Sequence, residues 1–138
     1  MNVLYTTTAT ATGDGRNGHT ATEDGLVDVD VRVPKEMGGP GGATNPEQLF
    51  AAGYAACFHS AMKLVAKPLD IDTTDSAVSV TAGLGMLDSG AFNLQLEIDV
   101  HVPNATPQKA QELVERAHEV CPYSNATRGN VDVKLGVI

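Results

Sequence analysis

Hydrophobic and polar residues alternate in five stretches of the chain, and this period of two predicts β-strands. The clearest is LVDVDVRV, residues 26–33, in which four valines share one face. In FNLQLEIDVHV, residues 92–102, five aliphatic side chains share one face. The predicted strands lie at residues 4–12, 26–33, 78–84, 92–102 and 131–137. Glycine-rich segments, GDGRNGH at 13–19 and GGPGG at 38–42, are predicted to be loops.

The stretch NPEQLFAAGYAACFHSAMKLV, residues 45–65, predicts a long helix that ends at Pro68. Its only polar stripe is narrow, and a helix that is apolar nearly all round is buried, often by a partner chain. Thr44 and Glu47 fit a capping box at its start. Gly53 costs about 1 kcal/mol relative to alanine in a helix. We therefore expect another backbone, from this chain or a second subunit, to approach Gly53 closely.

Two further helices are predicted in the second half of the chain. Thr106 is a cap and Pro107 a favourable first residue for a helix that runs to about Val120. The Cys121-Pro122 pair breaks that helix and begins a short one that ends near residue 129. Strands come in runs and do not alternate singly with helices. This order predicts an α+β fold with antiparallel or mixed sheets, each covered on one face by helices.

The length and charge of the chain limit the possible functions. Its 138 residues suggest one domain, 1–138. The formal net charge is −8 and the basic residues are scattered, which argues against nucleic acid and anionic membranes as partners. No signal peptide and no run of 18 apolar residues is visible, so we expect a cytoplasmic protein without a membrane span.

The two cysteines, Cys57 and Cys121, are the candidate chemical groups. In the cytosol thiols stay reduced, so the two are free, catalytic or metal-bound, and a small apolar core residue is the alternative. A zinc site is not expected, because Cys57 and His59 are two apart on a helix and point about 200° from each other. The segment GGPGGATNPEQ lacks the lysine of a phosphate-binding P-loop.

Three segments carry a resemblance to a known family: ATATGDGRNG, GGPGGATNPEQLFAAGYAACF and VCPYSNATRGNVDV. Together they closely resemble the organic hydroperoxide resistance proteins, the Ohr branch of the OsmC-like family. The resemblance covers nearly the whole chain, and the two cysteine segments are its most specific parts. It implies an intertwined homodimer whose sheets wrap two long central helices. It also implies two active sites at the subunit interface.

The resemblance implies a cysteine-based peroxidase of alkyl and fatty-acid hydroperoxides and a role for four residues. Cys57 matches the peroxide-attacking cysteine, and Cys121 matches the resolving cysteine that forms a disulfide with it. Arg16 matches the catalytic arginine, and Glu47 matches the glutamate that pairs with it. The family uses no metal or bound cofactor, and an external dithiol, a dihydrolipoyl group on a partner protein, reduces the disulfide.

The chemistry of a thiolate explains why an arginine is required. Cys57 lies in the middle of an apolar helix, where burial favours the neutral thiol and the helix dipole contributes little. A cation must therefore come from elsewhere in the sequence. Four arginines are available, and the choice of Arg16 depends on the resemblance. Apolar residues near Cys57 on the helical wheel, with Phe50 as the candidate substrate contact, would bind an alkyl chain.

Two alternatives remain open from the sequence. One is an OsmC-like peroxidase of broader specificity, which differs in its substrate ratios. The other is a dimer that binds a hydrophobic ligand and whose cysteines are inert.

Overall fold

The computed structural model describes all 138 residues, and the chain divides into two compact units, residues 1–49 and 50–138. The first unit contains a three-stranded antiparallel sheet in the order β1-β2-β3. Its strands are β1 (Ala9–Thr12), β2 (His19–Thr22) and β3 (Asp28–Asp30), with 3-10 turns at Gly15–Asn17 and Lys35–Met37. The prediction of a single domain over residues 1–138 stays a prediction.

The first unit differs from the sequence prediction in its strand lengths. Strand β3 covers only Asp28–Asp30 of the predicted 26–33, because its partner β2, which was not predicted, offers three paired positions. Beyond them the backbone of Arg32 bonds to Thr44, outside the sheet. The predicted strand 4–12 is regular only over Ala9–Thr12, where β2 pairs with it. The lengths of β1 and β3 are therefore set by pairing with β2, which the alternation of residues along a single strand does not encode.

Helix α1 spans Pro46–Ala66, as predicted, and a loop follows it up to Ser76. The predicted capping box was wrong. Asn45 caps the helix, since its Oδ1 accepts a hydrogen bond of 2.9 Å from the Gln48 N–H. Thr44 donates instead to the Gln48 side chain, and the Glu47 carboxylate is bound by an arginine described below.

Within one chain, helix α1 buries one face and not its whole circumference. The buried side chains are Tyr54, Phe58, Ala61, Met62 and Ala66. Ala52, Ala56 and Leu64 are exposed. By length and composition alone, α1 could cross a membrane, a test that the core helix of a soluble protein also passes. The expected absence of a membrane span stays a prediction.

The second unit combines a mixed sheet with most of α1 and two further helices, which confirms the α+β prediction. Its sheet has the order β4-β5-β6, with β4 antiparallel and β6 parallel to β5. The parallel connection runs through the two helices, as parallel strands require. The elements are β4 (Ala77–Met86), β5 (Phe92–His101), α2 (Pro107–Val120), α3 (Pro122–Thr127) and β6 (Val133–Val137).

The core of the second unit follows the predicted periodicities. In β5 the inward positions Leu96, Ile98 and Val100 are at most 2% exposed, as the alternation predicted. Helix α2, capped by Thr106 as predicted, buries one face in the same hydrophobic core. Each such aliphatic side chain contributes about 1.5–3 kcal/mol when it is fully buried. The buried residues of α2 are Ala110, Leu113, Val114 and Ala117.

Gly53 has a different neighbour from the one predicted. A Cβ atom at Gly53 would lie 3.1 Å from the hydroxyl of Tyr123 and 3.4 Å from its ring. Within one chain, the group next to Gly53 is therefore the phenol of Tyr123, and the approach of a backbone from a second subunit stays a prediction. The tyrosine packs onto α1 one helical turn before Cys57.

Candidate active site

Cys57 and Cys121 lie side by side in the second unit. Their sulfur atoms are 3.5 Å apart, and both are free thiols. Cys57 is partly exposed on α1, whereas Cys121 is fully buried. A disulfide bond has a length of about 2.0 Å, so a small approach of the two sulfur atoms would close it. The two cysteines are 64 positions apart in the sequence, and only the family resemblance predicted their contact.

The surroundings of Cys57 favour its neutral form. Burial raises the pKa of the Cys57 thiol, and the adjacent Cys121 raises it further. A hydrogen bond from the backbone N–H of Tyr123 acts in the opposite direction and lowers this pKa. Within residues 50–138 no basic side chain lowers it. A reactive thiolate at Cys57 therefore requires a cation beyond these groups.

An apolar groove of about 390 Å³ opens beside Cys57. Leu64, an apolar neighbour of Cys57 on the helical wheel, lines it, and Phe50 does not. Val120 and Pro122 also line it, and the sequence reasoning missed both because they come from α2 and α3. A larger cavity, about 470 Å³, lies between β4, β5 and residues 130–132 and contains no cysteine, histidine or basic residue.

Phe50, the predicted substrate contact, lies in an aromatic cluster. Its ring meets Tyr54 edge to face, with centroids 5.9 Å apart, and lies 6.0 Å from Tyr123. Tyr54 and Tyr123 are 5.6 Å apart and complete the triangle. Edge-to-face and tilted pairs of this kind stabilise the packing of α1 against α3. The substrate-binding role of Phe50 stays a prediction.

Arg16 and Glu47 form a two-pronged ion pair in the first unit. Arg16 Nη1 donates to Glu47 Oε2 at 2.8 Å, and Nη2 donates to Oε1 at 2.7 Å. The carboxylate is more deeply placed than the guanidinium, with side-chain exposures of 15% and 40%. Arg16 lowers the pKa of Glu47 by this hydrogen bonding, and Glu47 raises the pKa of Arg16. Both groups therefore stay charged at neutral pH.

The backbone around Arg16 is held by residues that the sequence reasoning did not select. The Arg32 guanidinium donates to the carbonyls of Asn17 and Gly18 at 3.1 and 2.9 Å. Asn17 Oδ1 accepts from the Val33 N–H at 3.0 Å. A Cβ at Gly18 would lie 2.2 Å from the carbonyl oxygen of Thr12, so only glycine fits. Arg32 is therefore a clamp on the Arg16 turn, because it holds the backbone at Asn17 and Gly18.

The histidines near the cysteines take part in other contacts. His59 Nε2 lies 3.0 Å from Ser76 Oγ, and His118 Nδ1 lies 2.8 Å from Ser124 Oγ. Burial lowers the pKa of both imidazoles, so both are neutral at neutral pH. No group of three or more histidine, cysteine or acidic side chains is arranged to hold a metal ion.

Comparison with known proteins places these residues in a family context. The family model described as OsmC-like protein matches residues 39–136. The organic hydroperoxide resistance protein of Xanthomonas axonopodis pv. citri is 49% identical over 135 residues, which are 96% of this chain and 94% of that protein. The organic hydroperoxide resistance protein OhrB of Bacillus subtilis is 50% identical over 135 residues, 96% of each chain.

A solved structure agrees over almost the whole length. It is the crystal structure of an organic hydroperoxide resistance protein, OsmC, from Legionella pneumophila. It superimposes with a TM-score of 0.93 at 52% identity and covers 99% of this chain and 98% of that chain. Two small sheets and three helices are therefore an arrangement that this chain shares with proteins of that name.

Proposed function

Because the chain belongs to the OsmC-like family, in its organic hydroperoxide resistance branch, we propose that it is a thiol-dependent peroxidase that reduces organic hydroperoxides to alcohols. The observation that carries this proposal is the Cys57 thiol, partly exposed at an apolar groove, with the buried Cys121 thiol 3.5 Å away. The Cys57 sulfur is accessible to a substrate, and the Cys121 sulfur is placed to react with the sulfenic acid that would form on Cys57.

The first chemical step takes place at Cys57. The thiolate sulfur attacks the terminal oxygen of the hydroperoxide, the O–O bond breaks, and the alkoxide leaves and takes a proton from solvent. Cys57 is thereby oxidised to a sulfenic acid and the peroxide is reduced to an alcohol. Burial disfavours the required thiolate, and the Tyr123 N–H offsets this only in part.

Arg16 is proposed to supply the missing positive charge. An arginine keeps its charge at any physiological pH and presents a flat fork of donors. Glu47 occupies two of these donors, which fixes the guanidinium, and the others remain for the sulfur and the peroxide. In this proposal Arg16 is a catalytic residue that stabilises the thiolate and the charge that develops on oxygen. Glu47 is then a positioning residue.

The second step closes a disulfide between the two cysteines. Cys121 attacks the Cys57 sulfenic acid, the S–O bond breaks, and the hydroxyl leaves as water with the Cys121 proton. An external dithiol then reduces the disulfide by thiol–disulfide exchange. We propose a dihydrolipoyl group on a partner protein as this reductant, and no metal or bound cofactor takes part.

The groove beside Cys57 supports a preference for substrates with an alkyl chain. Leu64, Val120 and Pro122 offer apolar surface next to the sulfur. An alkyl or fatty-acid hydroperoxide would bury its chain there, whereas hydrogen peroxide has no chain to bury. This preference separates the proposal from an OsmC-like peroxidase of broader specificity.

The exposed row on α1 supports a homodimer. Ala52, Ala56, Ser60 and Leu64 follow one another at intervals of four and are all exposed in the single chain. Ala52, Ala56 and Ser60 are small enough to let a second helix approach closely, and Ser60 and Leu64 also line the groove at Cys57. We therefore propose that two copies of α1 meet along this row, that the active sites lie at the subunit interface, and that the dimer works in the cytoplasm.

Steady-state turnover tests the proposed function. With cumene hydroperoxide and dihydrolipoamide, the wild-type protein should turn over continuously, Cys57→Ser should not react, and Cys121→Ser should react once and accumulate over-oxidised Cys57. A hydrophobic-ligand-binding dimer with inert cysteines would show no turnover in any of the three. Turnover by Cys57→Ser would show that the roles of the cysteines are assigned wrongly.

A further inference from the structure

A network of hydroxyl groups and one histidine links three helices next to the cysteine pair. Tyr54 Oη lies 2.8 Å from Ser124 Oγ, and His118 Nδ1 lies 2.8 Å from the same oxygen. Thr127 Oγ1 lies 3.3 Å from Tyr54 Oη and donates to the Ser124 carbonyl. Tyr54 and Ser124 are fully buried. No buried side-chain polar atom here lacks a partner.

The members of this network lie about one helical turn from the sulfur atoms. Tyr54 precedes Cys57 by three residues on α1. His118 precedes Cys121 by three residues on α2, and Ser124 follows it by three on α3. The network therefore ties together the helices that carry the two cysteines. The sequence reasoning selected none of these three side chains as a site residue.

Cys121 lies at the joint that this network spans. It is the C-cap residue of α2 and the N-cap residue of α3, so its backbone alone connects the two helices. Helix α3 has six residues, which is too short to be stable without tertiary contacts. Rotation about the joint would move the Cys121 sulfur and the Tyr123 N–H away from Cys57. Ser124 prevents it by bonding to α1 and α2 at once.

We propose that Tyr54, Ser124 and His118 are positioning residues that hold Cys121 at the distance from Cys57 that disulfide closure requires. The proposal deepens, and rests on, the proposed peroxidase function. In the step concerned, an S–S bond forms while the S–O bond of the Cys57 sulfenic acid breaks. The hydroxyl and the Cys121 proton leave as water, and no other reactant is needed. None of the three side chains acts on the peroxide.

The protonation state of His118 fits an acceptor in this network. Burial and the nearby Arg128 lower the pKa of His118, so the ring is neutral at neutral pH. Ser124 can then donate to Nδ1 while it accepts from Tyr54, and Tyr54 remains within reach of Thr127. An asparagine at position 118 could place its amide oxygen where Nδ1 lies. His118→Asn is therefore a conservative variant that keeps the contact.

Competition for the sulfenic acid measures the effect directly. Excess cumene hydroperoxide converts the sulfenic acid to a sulfinic acid, whereas Cys121 converts it to a disulfide, and mass spectrometry gives the ratio. We expect Ser124→Ala and His118→Leu to raise the sulfinic-to-disulfide ratio about tenfold, and Tyr54→Phe by a smaller factor. His118→Asn should stay close to the wild-type ratio. Partial unfolding alone would make the sulfenic acid accessible to both reactions. His118→Asn would then not return the ratio to its wild-type value.

Matched controls and a second assay separate the possible failures. The controls are Tyr5→Phe, Ser79→Ala and His101→Leu, each of which alters an exposed residue of the same type and should leave the ratio unchanged. Equilibration with reduced and oxidised dithiothreitol needs no peroxide. There Ser124→Ala should shift the cysteine pair about tenfold towards the dithiol.

The two assays distinguish the inference from the function on which it rests. If the wild-type protein forms no disulfide with peroxide while the dithiothreitol equilibrium still shifts in Ser124→Ala, the proposed function fails and the positioning role stands. Wild-type values for Ser124→Ala and His118→Leu in both assays would overturn the positioning role. The positioning role would also be overturned if the controls at exposed residues changed the ratio as much as Ser124→Ala and His118→Leu do.

Discussion

Arg16 and Glu47 lie 31 positions apart in the sequence and are joined by two hydrogen bonds of 2.8 and 2.7 Å. Each carboxylate oxygen accepts from one guanidinium nitrogen, a geometry that an ammonium group could not reproduce. Because α1 is capped by Asn45, the Glu47 carboxylate is not needed at the helix start and is free for this pairing. The pair thus has a role to be tested that is separate from helix capping.

We predict that Arg16 and Glu47 act as one unit in the attack on peroxide. Arg16→Ala should raise the Cys57 pKa and slow single-turnover oxidation by about a hundredfold, the usual effect of removing one charge-stabilising donor. Glu47→Ala should slow it less, because Arg16 remains present but mobile. The double variant should match Arg16→Ala alone, as measured by stopped-flow kinetics in a double-mutant cycle. Strictly additive effects would rule out the unit, and Glu36→Ala is the matched control on an exposed glutamate.

The ion pair should also set a pH dependence. The pKa of Glu47 is lowered in the folded protein, chiefly by Arg16, so its contribution to stability is present above the ordinary glutamate pKa. That contribution is lost as the pH falls through the lowered, folded-state pKa. Carbon NMR of the Glu47 carboxyl should show a midpoint below the usual range in the wild type and a higher one in Arg16→Ala. An unchanged midpoint in Arg16→Ala would contradict the pairing in solution.

Arg32 is predicted to hold the backbone of the turn that carries Arg16. Its guanidinium bonds to the carbonyls of Asn17 and Gly18, so Arg32→Ala should free the turn. We expect a loss of about 1.5 kcal/mol in the free energy of unfolding and a slower attack on peroxide. Arg116→Ala removes only an exposed pair with Glu112 and should cost less than about 0.5 kcal/mol. Equal effects of the two variants in urea denaturation and kinetics would show that Arg32 is no clamp.

The groove beside Cys57 should determine substrate selectivity. The wild-type protein should favour cumene hydroperoxide over hydrogen peroxide by at least about tenfold, the equivalent of about two buried methylene groups. Val120→Ser should reduce the rate with cumene hydroperoxide and leave the rate with hydrogen peroxide unchanged, because Val120 lines the groove and lies outside the proposed dimer row. Leu26→Ser alters an exposed leucine elsewhere and serves as the control. Equal wild-type rates for both peroxides would argue against an apolar substrate channel.

Local signals made much of the second unit predictable from the sequence. The alternation of β5, the Thr106 cap and the bounds of α1 depend on neighbouring residues, and the structure has them as predicted. The length of β3 depends on its pairing with β2, which is short and follows a glycine-rich segment, so alternation alone overestimated the length of β3. The capping role of Glu47 was wrong because a distant arginine competes for the carboxylate.

The site was predictable only as far as family resemblance reached. The four roles came from motifs around Arg16, Glu47, Cys57 and Cys121. Val120 and Pro122 in the groove could not be found on the helical wheel of α1, since other helices carry them. The contact between Tyr54 and Ser124 spans 70 positions and involves ordinary residue types, so no local pattern marks it.

The number of free thiols after one equivalent of hydroperoxide tests the central claim most directly. Fully reduced protein contains two thiols per chain, Cys57 and Cys121. One equivalent of cumene hydroperoxide should remove both thiols, form a disulfide and release one equivalent of alcohol, whereas Cys57→Ser should keep its Cys121 thiol. Retention of both thiols in the wild-type protein with excess hydroperoxide would contradict the claim that this cysteine pair reduces peroxides.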